Sequence, residues 1–488
     1  MVGRTLDSII SVFSPEKALR RATARALYSG QRQYAAAKES RTQYGWRPAS
    51  GATVNDEIRT SSLYVRARIR QLVRDFAPFG RAVQILEDLV VGPEGIRWQS
   101  KHATMSSELE AVFRAWGEQA DISGKLHWVE MQQLAQRQLC ECGEYIFVKH
   151  RPTSERIPYQ LQAVEPDRLT GESVRVAPEH RIDQGVEFDP ITGRVIAYHI
   201  DSGEYNRSIL RIDASRVLHG FHCLRPGQLR GISPFTAGVL LANDLAEYMD
   251  TEIDAAKTAA KYLAFVKTAD AAGFQDARGL STEDGKKIDD MENAIVEYLR
   301  PGEEITLANN PRPGNGWEPF VRFILRMLSI STGVPYDTLS GDYSQSNYSS
   351  SRLARNDLNI ILRPKQSRQV RHLNQPVLRE VIEAAVLSGQ IKIPDYHQRP
   401  HLYHEGSWIA PGLAPVDPLK ESKADRDQMD GLLRSPQEIC AARGRDYEEV
   451  LDEIAKAREM QDARNLTPLD VSTATASNPA TIIGDEDE

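Results

Sequence analysis

The stretch from Trp317 to Gly389 constrains the fold more than any other, because two arms with apolar residues at helical spacing are joined there by a segment with almost nothing to bury. In the first arm Phe320, Phe323/Ile324, Met327/Leu328 and Ile330 recur at that spacing, and Pro319 is tolerated in the first turn. Gly333 suits a left-handed C-cap and Pro335 cannot continue the hydrogen-bond ladder, so the pattern predicts a stop and no second helix until later. Leu339 to Ser351 is a run of small hydroxyl and amide residues around Tyr343 and Tyr348, read as a solvated loop. From Ser349 the helical pattern resumes through Leu353, Leu358, Ile361/Leu362, Val370, Leu373, Val377/Leu378 and Val381/Ile382; Pro364 and Pro376 predict a kink or a split.

Charge is segregated between Ser344 and Arg379. Arg352, Arg355, Arg363, Lys365, Arg368, Arg371 and Arg379 stand against the single acid Asp357 in a chain whose net charge is -8. The pattern fits either a solvated face pairing with acids elsewhere or a surface that meets a polyanion. The overall acidity argues against a generic DNA-coating protein, so any nucleic-acid contact must be local. No run of about 18 apolar residues is present that could span a bilayer, and no apolar signal segment is seen near Met1, so a cytosolic location or one inside an assembly is expected. Four cysteines in 488 residues do not make a disulfide framework, and Cys140 and Cys142 read as buried small hydrophobes.

Along the chain, residues 4–40 form a basic, alanine-rich arm, and 61–89 two helices broken at Pro78. A strand entry at 90–99, helices at 105–117 and 127–138, and five alternating strands between 145 and 222 indicate an antiparallel β-rich module. A long helix from about Phe235 to Lys261 carries Ala255, Ala256, Ala259 and Ala260, small enough to admit a close neighbour. Residues 262–316 then read as a small inserted αβ lobe, with strands at 263–266 and 305–307 and a charged helix near 282–295. After Gly389 come a strand candidate at 391–396, a proline-rich extended stretch, C-terminal helices, and a tail from Leu466 of disordered composition.

The sequence contains no phosphate-binding P-loop, dinucleotide fingerprint, zincin motif or nucleophile elbow. His219/His222/Cys223 and His397/His401/His404 are weak metal candidates and read instead as ordinary histidines; no metal or cofactor is expected. By themselves the residues leave open a DNA-binding or nuclease-type enzyme with an unrecognised site, or a plain capsid or scaffold protein.

Arg66-Ala-Arg-Ile-Arg-Gln-Leu-Val-Arg74, Val90-Val-Gly92 with Gly95-Ile96, Gly231-Ile-Ser-Pro234, and Gly333-Val-Pro-Tyr-Asp-Thr-Leu-Ser-Gly-Asp342 with Asn347-Tyr-Ser-Ser350 and Arg352 occur in that order. Trp408, Val416-Asp-Pro-Leu-Lys-Glu421 and Gly444-Arg-Asp446 come after them. In this order and spacing the chain, from about Arg66 to Asp446, resembles phage portal proteins of the lambda family. The resemblance implies a non-enzymatic homo-oligomeric ring, a dodecamer, in the virion, assembled in the host cytoplasm. Double-stranded DNA would be driven through it by a terminase, and neck or head-completion proteins and capsid or scaffold protein would attach. It implies an α+β portal-like architecture: basic arm 1–50, β-rich wing 51–234, stem helices 235–261 and 317–333 flanking a clip 262–316, tunnel loop 334–351, long wing helix 352–390, crown region 391–465 and disordered tail 466–488. The channel residues expected on this reading are Tyr343, Ser344, Gln345, Asn347, Tyr348, Arg352 and Arg355.

Overall fold

The structure, a computed structural model, describes residues 52–170, 174–177, 179–203, 208–261, 264–268, 303–307, 314, 316–345, 347–413 and 417–464, with the backbone alone for 174–177, 258–261, 264–268, 303–307 and 348. The basic arm, the charged helix expected near 282–295 and the acidic tail lie outside the described residues. The chain divides between Glu57 and Ile58, and the helices and strands beyond residue 58 belong to the second unit.

Helix α1 (Val54–Asp75) crosses that division, and α2 (Ala77–Val90) comes after a break at Phe76, with Pro78 in the first turn where its missing N–H leaves no gap in the ladder. Strand β1 (Arg97–Ser100) leads to α3 (Ser106–Gly117) and α4 (Trp128–Glu141). At the start of α4 the His127 ring accepts from Val129 N at 3.2 Å while the Glu130 carboxylate takes the His127 N–H at 2.7 Å, a reciprocal cap that satisfies two otherwise orphan donors.

The β module runs β2 (Glu144–His150), β3 (Gln160–Val164), β4 (Val174–Ala177), β5 (His180–Asp183), β6 (Val186–Phe188), β7 (Val195–Asp201), β8 (Ile209–Asp213) and β9 (Val217–Phe221). One sheet has the order β3-β2-β9; the other is a meander from β4 to β8, and all pairings are antiparallel. Strand β2 is buried on both sides, and its period-2 alternation divides two cores. Tyr145 and Phe147 enter an aromatic core with Trp98, Phe113, Trp116, Trp128 and Tyr159, whereas Ile146 and Val148 join Val164, Val186, Tyr198, Ile200 and Val217. Strands β4, β5 and β8 escaped the sequence reading; β5 and β8 lack an alternating apolar pattern, and Ile209 and Leu210 are exposed.

Gly143 joins α4 to β2 at φ +85°, and a Cβ there would lie 2.1 Å from the carbonyl carbon of Ile232. A Cβ on Gly231 would in turn meet the Gly143 carbonyl oxygen at 2.2 Å, so the Gly231-Ile-Ser-Pro234 stretch crosses backbone against backbone. The same crossing carries a buried ion cluster. Glu144 accepts from Arg230, Arg66, His219 and the Gly231 N–H, and Arg66 and Arg70 both reach Asp167, which fastens α1 to the sheets.

Helix α5 (Val239–Lys261) begins after a 3-10 turn at Pro234–Gly238, later than the sequence suggested. Strands β10 (Ala264–Thr268) and β11 (Glu303–Leu307) pair antiparallel, close to the two strands anticipated in the inserted lobe. Next come α6 (Trp317–Thr332), α7 (Tyr336–Ser340), α8 (Tyr348–Gln369) and α9 (Gln375–Leu387). Helices α5 and α6 meet through Tyr248 and Phe320, whose rings sit 5.1 Å apart edge to face, and Gly238 lies against Ser331. A third core joins Ile69, Phe79, Leu86, Phe235, Leu245, Ile324, Leu328, Leu339, Leu358 and Leu362.

Of the kink or split anticipated at Pro364 or Pro376, the split does not occur: the helical run continues through both. Pro364 lies inside α8, and between α8 and α9 the backbone opens into a π turn at Val370–Asn374 just before Pro376. Widening the turn there removes the clash of a proline ring with the carbonyl one turn earlier. The strand anticipated at 391–396 is absent; Ile391, Ile393 and Tyr396 instead insert into the aromatic core from an irregular segment. Strand β12 (Gly406–Ile409) then pairs with β1, Trp408 opposite Trp98. Helices α10 (Pro418–Asp430), α11 (Pro436–Ala442) and α12 (Tyr447–Ala463) close the chain, and Arg97 holds Glu449 at 3.0 Å and the Gly444 carbonyl at 2.9 Å. The start of the region expected as a crown therefore packs into the aromatic core with β2 instead of standing apart from it.

Candidate functional site

Helix α6 ends at Gly333 in the left-handed conformation (φ 73°), whose N–H returns to the Ser329 carbonyl. Contrary to the sequence reading, helix resumes at once. Pro335 is the N-cap of the short α7, which Gly341 (φ 70°) terminates, and buried Leu339 anchors it in the third core. Pro335 blocks continuation of a preceding helix but pre-sets the entry to a new one, and Leu339 supplies apolar surface that a reading of this segment as wholly polar passed over.

Asp342 organises the segment after Gly341. Tyr336 donates to it at 3.0 Å, Ser344 donates from both N (3.1 Å) and Oγ (2.6 Å), and Arg322 of α6 stands 3.5 Å away. Hydrogen bonds from Ser344, then Tyr336, hold the Asp342 carboxyl below its ordinary range. Burial, with the bond to Asp342, pushes Tyr336 up. Arg326, one turn beyond Arg322, lies 5.4 Å over the Tyr336 ring. Arg322, Arg326, Tyr336, Asp342, Gln345 and Ser350 surround a polar recess of about 190 Å³. Arg322 and Arg326 were not singled out from sequence, although their spacing of four on the polar side of an apolar-striped helix was the available signal.

The seven anticipated channel residues separate by what their side chains already do. Ser344 is committed to Asp342, and Asn347 is the N-cap of α8, accepting from Ser350 N at 2.9 Å while Ser350 takes the Asn347 N–H. Tyr343, Gln345 and Arg352 are exposed. Arg355 is half-buried and donates to the Leu413 carbonyl, tying α8 to the extended segment before α10. The Tyr348 side chain lies outside the described residues.

One histidine of each cluster is engaged elsewhere. His219 lies 3.1 Å from Glu144, and His404, held down to about 4 by burial and by Arg379, lies 3.0 Å from the Tyr396 hydroxyl. Among the described residues no helix is long and apolar enough to cross a membrane.

Four of the six residues in the α6 stripe that reads as core in sequence are left open by the described residues. Ile324 and Leu328 are buried, but Phe320, Phe323 (60% exposed), Met327 and Ile330 (75% exposed) are open, as are Leu240 and Ile253 on α5 and Leu353 and Ile360 on α8. Single exposed apolar residues are ordinary; a series along α6, with further ones on the α5 helix packed beside it, is the pattern of a protein surface that meets a partner.

The family model described as "Phage portal protein, lambda family" matches residues 39–363. The "Probable portal protein" of Halomonas phage phiHAP-1 is 26% identical over 454 residues, covering 87% of this chain and 86% of that protein. "Portal protein B" of Escherichia phage lambda is 22% identical over 475 residues, with 87% and 88% covered. A chain of the solved structure "Neck of empty GTA particle computed with C6 symmetry" is 14% identical with a TM-score of 0.44, covering 82% of this chain and 95% of that one. With the family model spanning most of the sequence, from ahead of α1 into α8, this chain belongs to the lambda family of phage portal proteins.

Proposed function

We propose that the chain is one subunit of a closed homo-oligomeric ring, a dodecamer, forming the head-tail connector of a phage particle, through which double-stranded DNA enters on packaging and leaves on ejection. It acts without catalytic chemistry: it positions and seals. On this reading α5 and α6 form the stem, the lobe between them the clip that docks terminase and head-completion proteins, residues 334–351 the segment nearest the DNA, and the helices after 417 the crown. Capsid or scaffold protein contacts the wing.

The observation that carries the reading is the uncovered apolar side of the α5–α6 pair, with Phe323 and Ile330 its most exposed members on α6. Burying side chains of this size against a neighbour contributes roughly 1.5–3 kcal/mol each, enough over several residues and repeated interfaces to close a ring. The test is Phe323→Glu with Ile330→Glu, sized by light scattering. The variant is expected to keep its far-UV dichroism and remain a monomer where the parent forms a ring; unchanged rings would refute the assignment of this side as the subunit contact.

A further inference from the structure

Lys365 and Arg368 on α8 and His222 after β9 converge on a recess of about 80 Å³ whose apolar floor is formed by Leu139, Cys140, Gly143, Ile232 and Pro234. No carboxylate lines it. Neither Lys365 nor Arg368 makes an ion pair or hydrogen bond among the described residues, and Arg371 extends the positive run by one turn. The acids near Cys140 are already engaged: Glu87 and Glu141 both pair with Arg137, at 3.6 and 2.8 Å. The titration behaviour agrees with cations crowded together. Burial, with the Arg368 charge adding to it, lowers Lys365, and burial followed by Arg368 and Lys365 lowers His222.

A cluster of like charges half withdrawn from water and without a counter-ion is unfavourable in an empty fold and becomes favourable once an anion occupies it. The recess is too small for a sugar or base. A lysine ammonium beside an arginine fork matches an oxyanion with several acceptor oxygens. We infer that the recess between Lys365, Arg368 and His222 is a binding site for one phosphate-type oxyanion, either free phosphate or a phosphate of a nucleic-acid backbone.

The site can be tested without reference to the ring or to DNA passage. Inorganic phosphate is titrated calorimetrically into the purified full chain against chloride at matched ionic strength, with Lys365→Met, Arg368→Gln and, as control, Arg363→Gln, an exposed residue outside the recess. The parent and the control should bind one phosphate per chain, and each recess variant should bind at least about tenfold more weakly, the loss of one charge-assisted contact. If Lys365→Met fails to fold, Arg368→Gln alone carries the comparison. No phosphate binding beyond chloride, or equal binding by all variants, overturns the inference. A short DNA duplex then identifies the source: displacement of bound phosphate assigns the site to the nucleic-acid backbone, and its absence assigns it to free phosphate.

Discussion

Arg230 clasps the fully buried Glu144 carboxylate with two nitrogens, Nη2 2.6 Å from Oε1 and Nε 3.1 Å from Oε2. Burial alone would raise the Glu144 pKa, but the Arg230 charge, with hydrogen bonds from His219 and Arg230, overrides it and holds the carboxyl well below the usual range. Removing one partner of such a pair leaves the other charged, buried and unmatched, so Arg230→Leu is expected to cost about 3–5 kcal/mol in urea unfolding. Because the folded pKa is depressed, the stabilisation is complete above the unfolded carboxyl value of about 4.3 and is lost as pH falls through that value toward the folded one. The parent should therefore lose stability steeply below about pH 4, and Glu144→Gln should flatten that limb.

Gly143→Ala should abolish soluble expression or lower the melting temperature sharply, because its Cβ would meet the Ile232 backbone at 2.1 Å and backbone cannot give way there. Gly124→Ala isolates the conformational part: φ is +67° but nothing lies within 4 Å, so the cost should stay near about 1 kcal/mol.

The contrast between these glycines shows what was legible in the sequence. Gly333 announces its left-handed cap locally, and the α6 stripe, α3, α4 and the helices on either side of Phe76 emerge from spacing alone. Gly143 carries no local signal, since its requirement comes from Ile232, far along the chain. The same holds for Arg230 and Glu144, each an unremarked charge until the fold brings them together. Phe323 and Ile330 read as core because spacing records that a residue will be covered, not whether the covering surface belongs to the same chain. At the site, the polar character of 340–351 was legible, but the division of labour was not read: Asn347, of a type that favours N-caps, is spent on the start of α8, whereas Gln345 lines the recess.

Arg352 and Arg355 should differ in stability measurements. Arg355→Ala removes the donor to the Leu413 carbonyl and is expected to cost about 1.5 kcal/mol by chemical unfolding, whereas exposed Arg352→Ala should stay within about 0.5 kcal/mol. Equal effects would place Arg355 outside the packing of α8 on the 413 segment.

Native thiol titration should distinguish two pairs of cysteines. Burial pushes Cys140 up to about 12 and Cys142 to about 11, so both should stay unreactive toward a thiol reagent at pH 8 until the chain unfolds. Cys223, exposed, should react at once, followed by the partly covered Cys440.

The central claim is a ring whose polar segment between α6 and α8 faces passing DNA. Cryo-electron microscopy of the purified chain tests it most directly, combined with in vitro packaging by particles that carry Arg352→Glu. The account predicts a closed ring with residues 341–352 at the wall of the central opening, and intact variant rings whose packaging is impaired and less salt-sensitive than the parent's, because a phosphate-facing cation has been removed. A monomer, or a ring that carries residues 341–352 on its outer surface and packages normally with the variant, would contradict it.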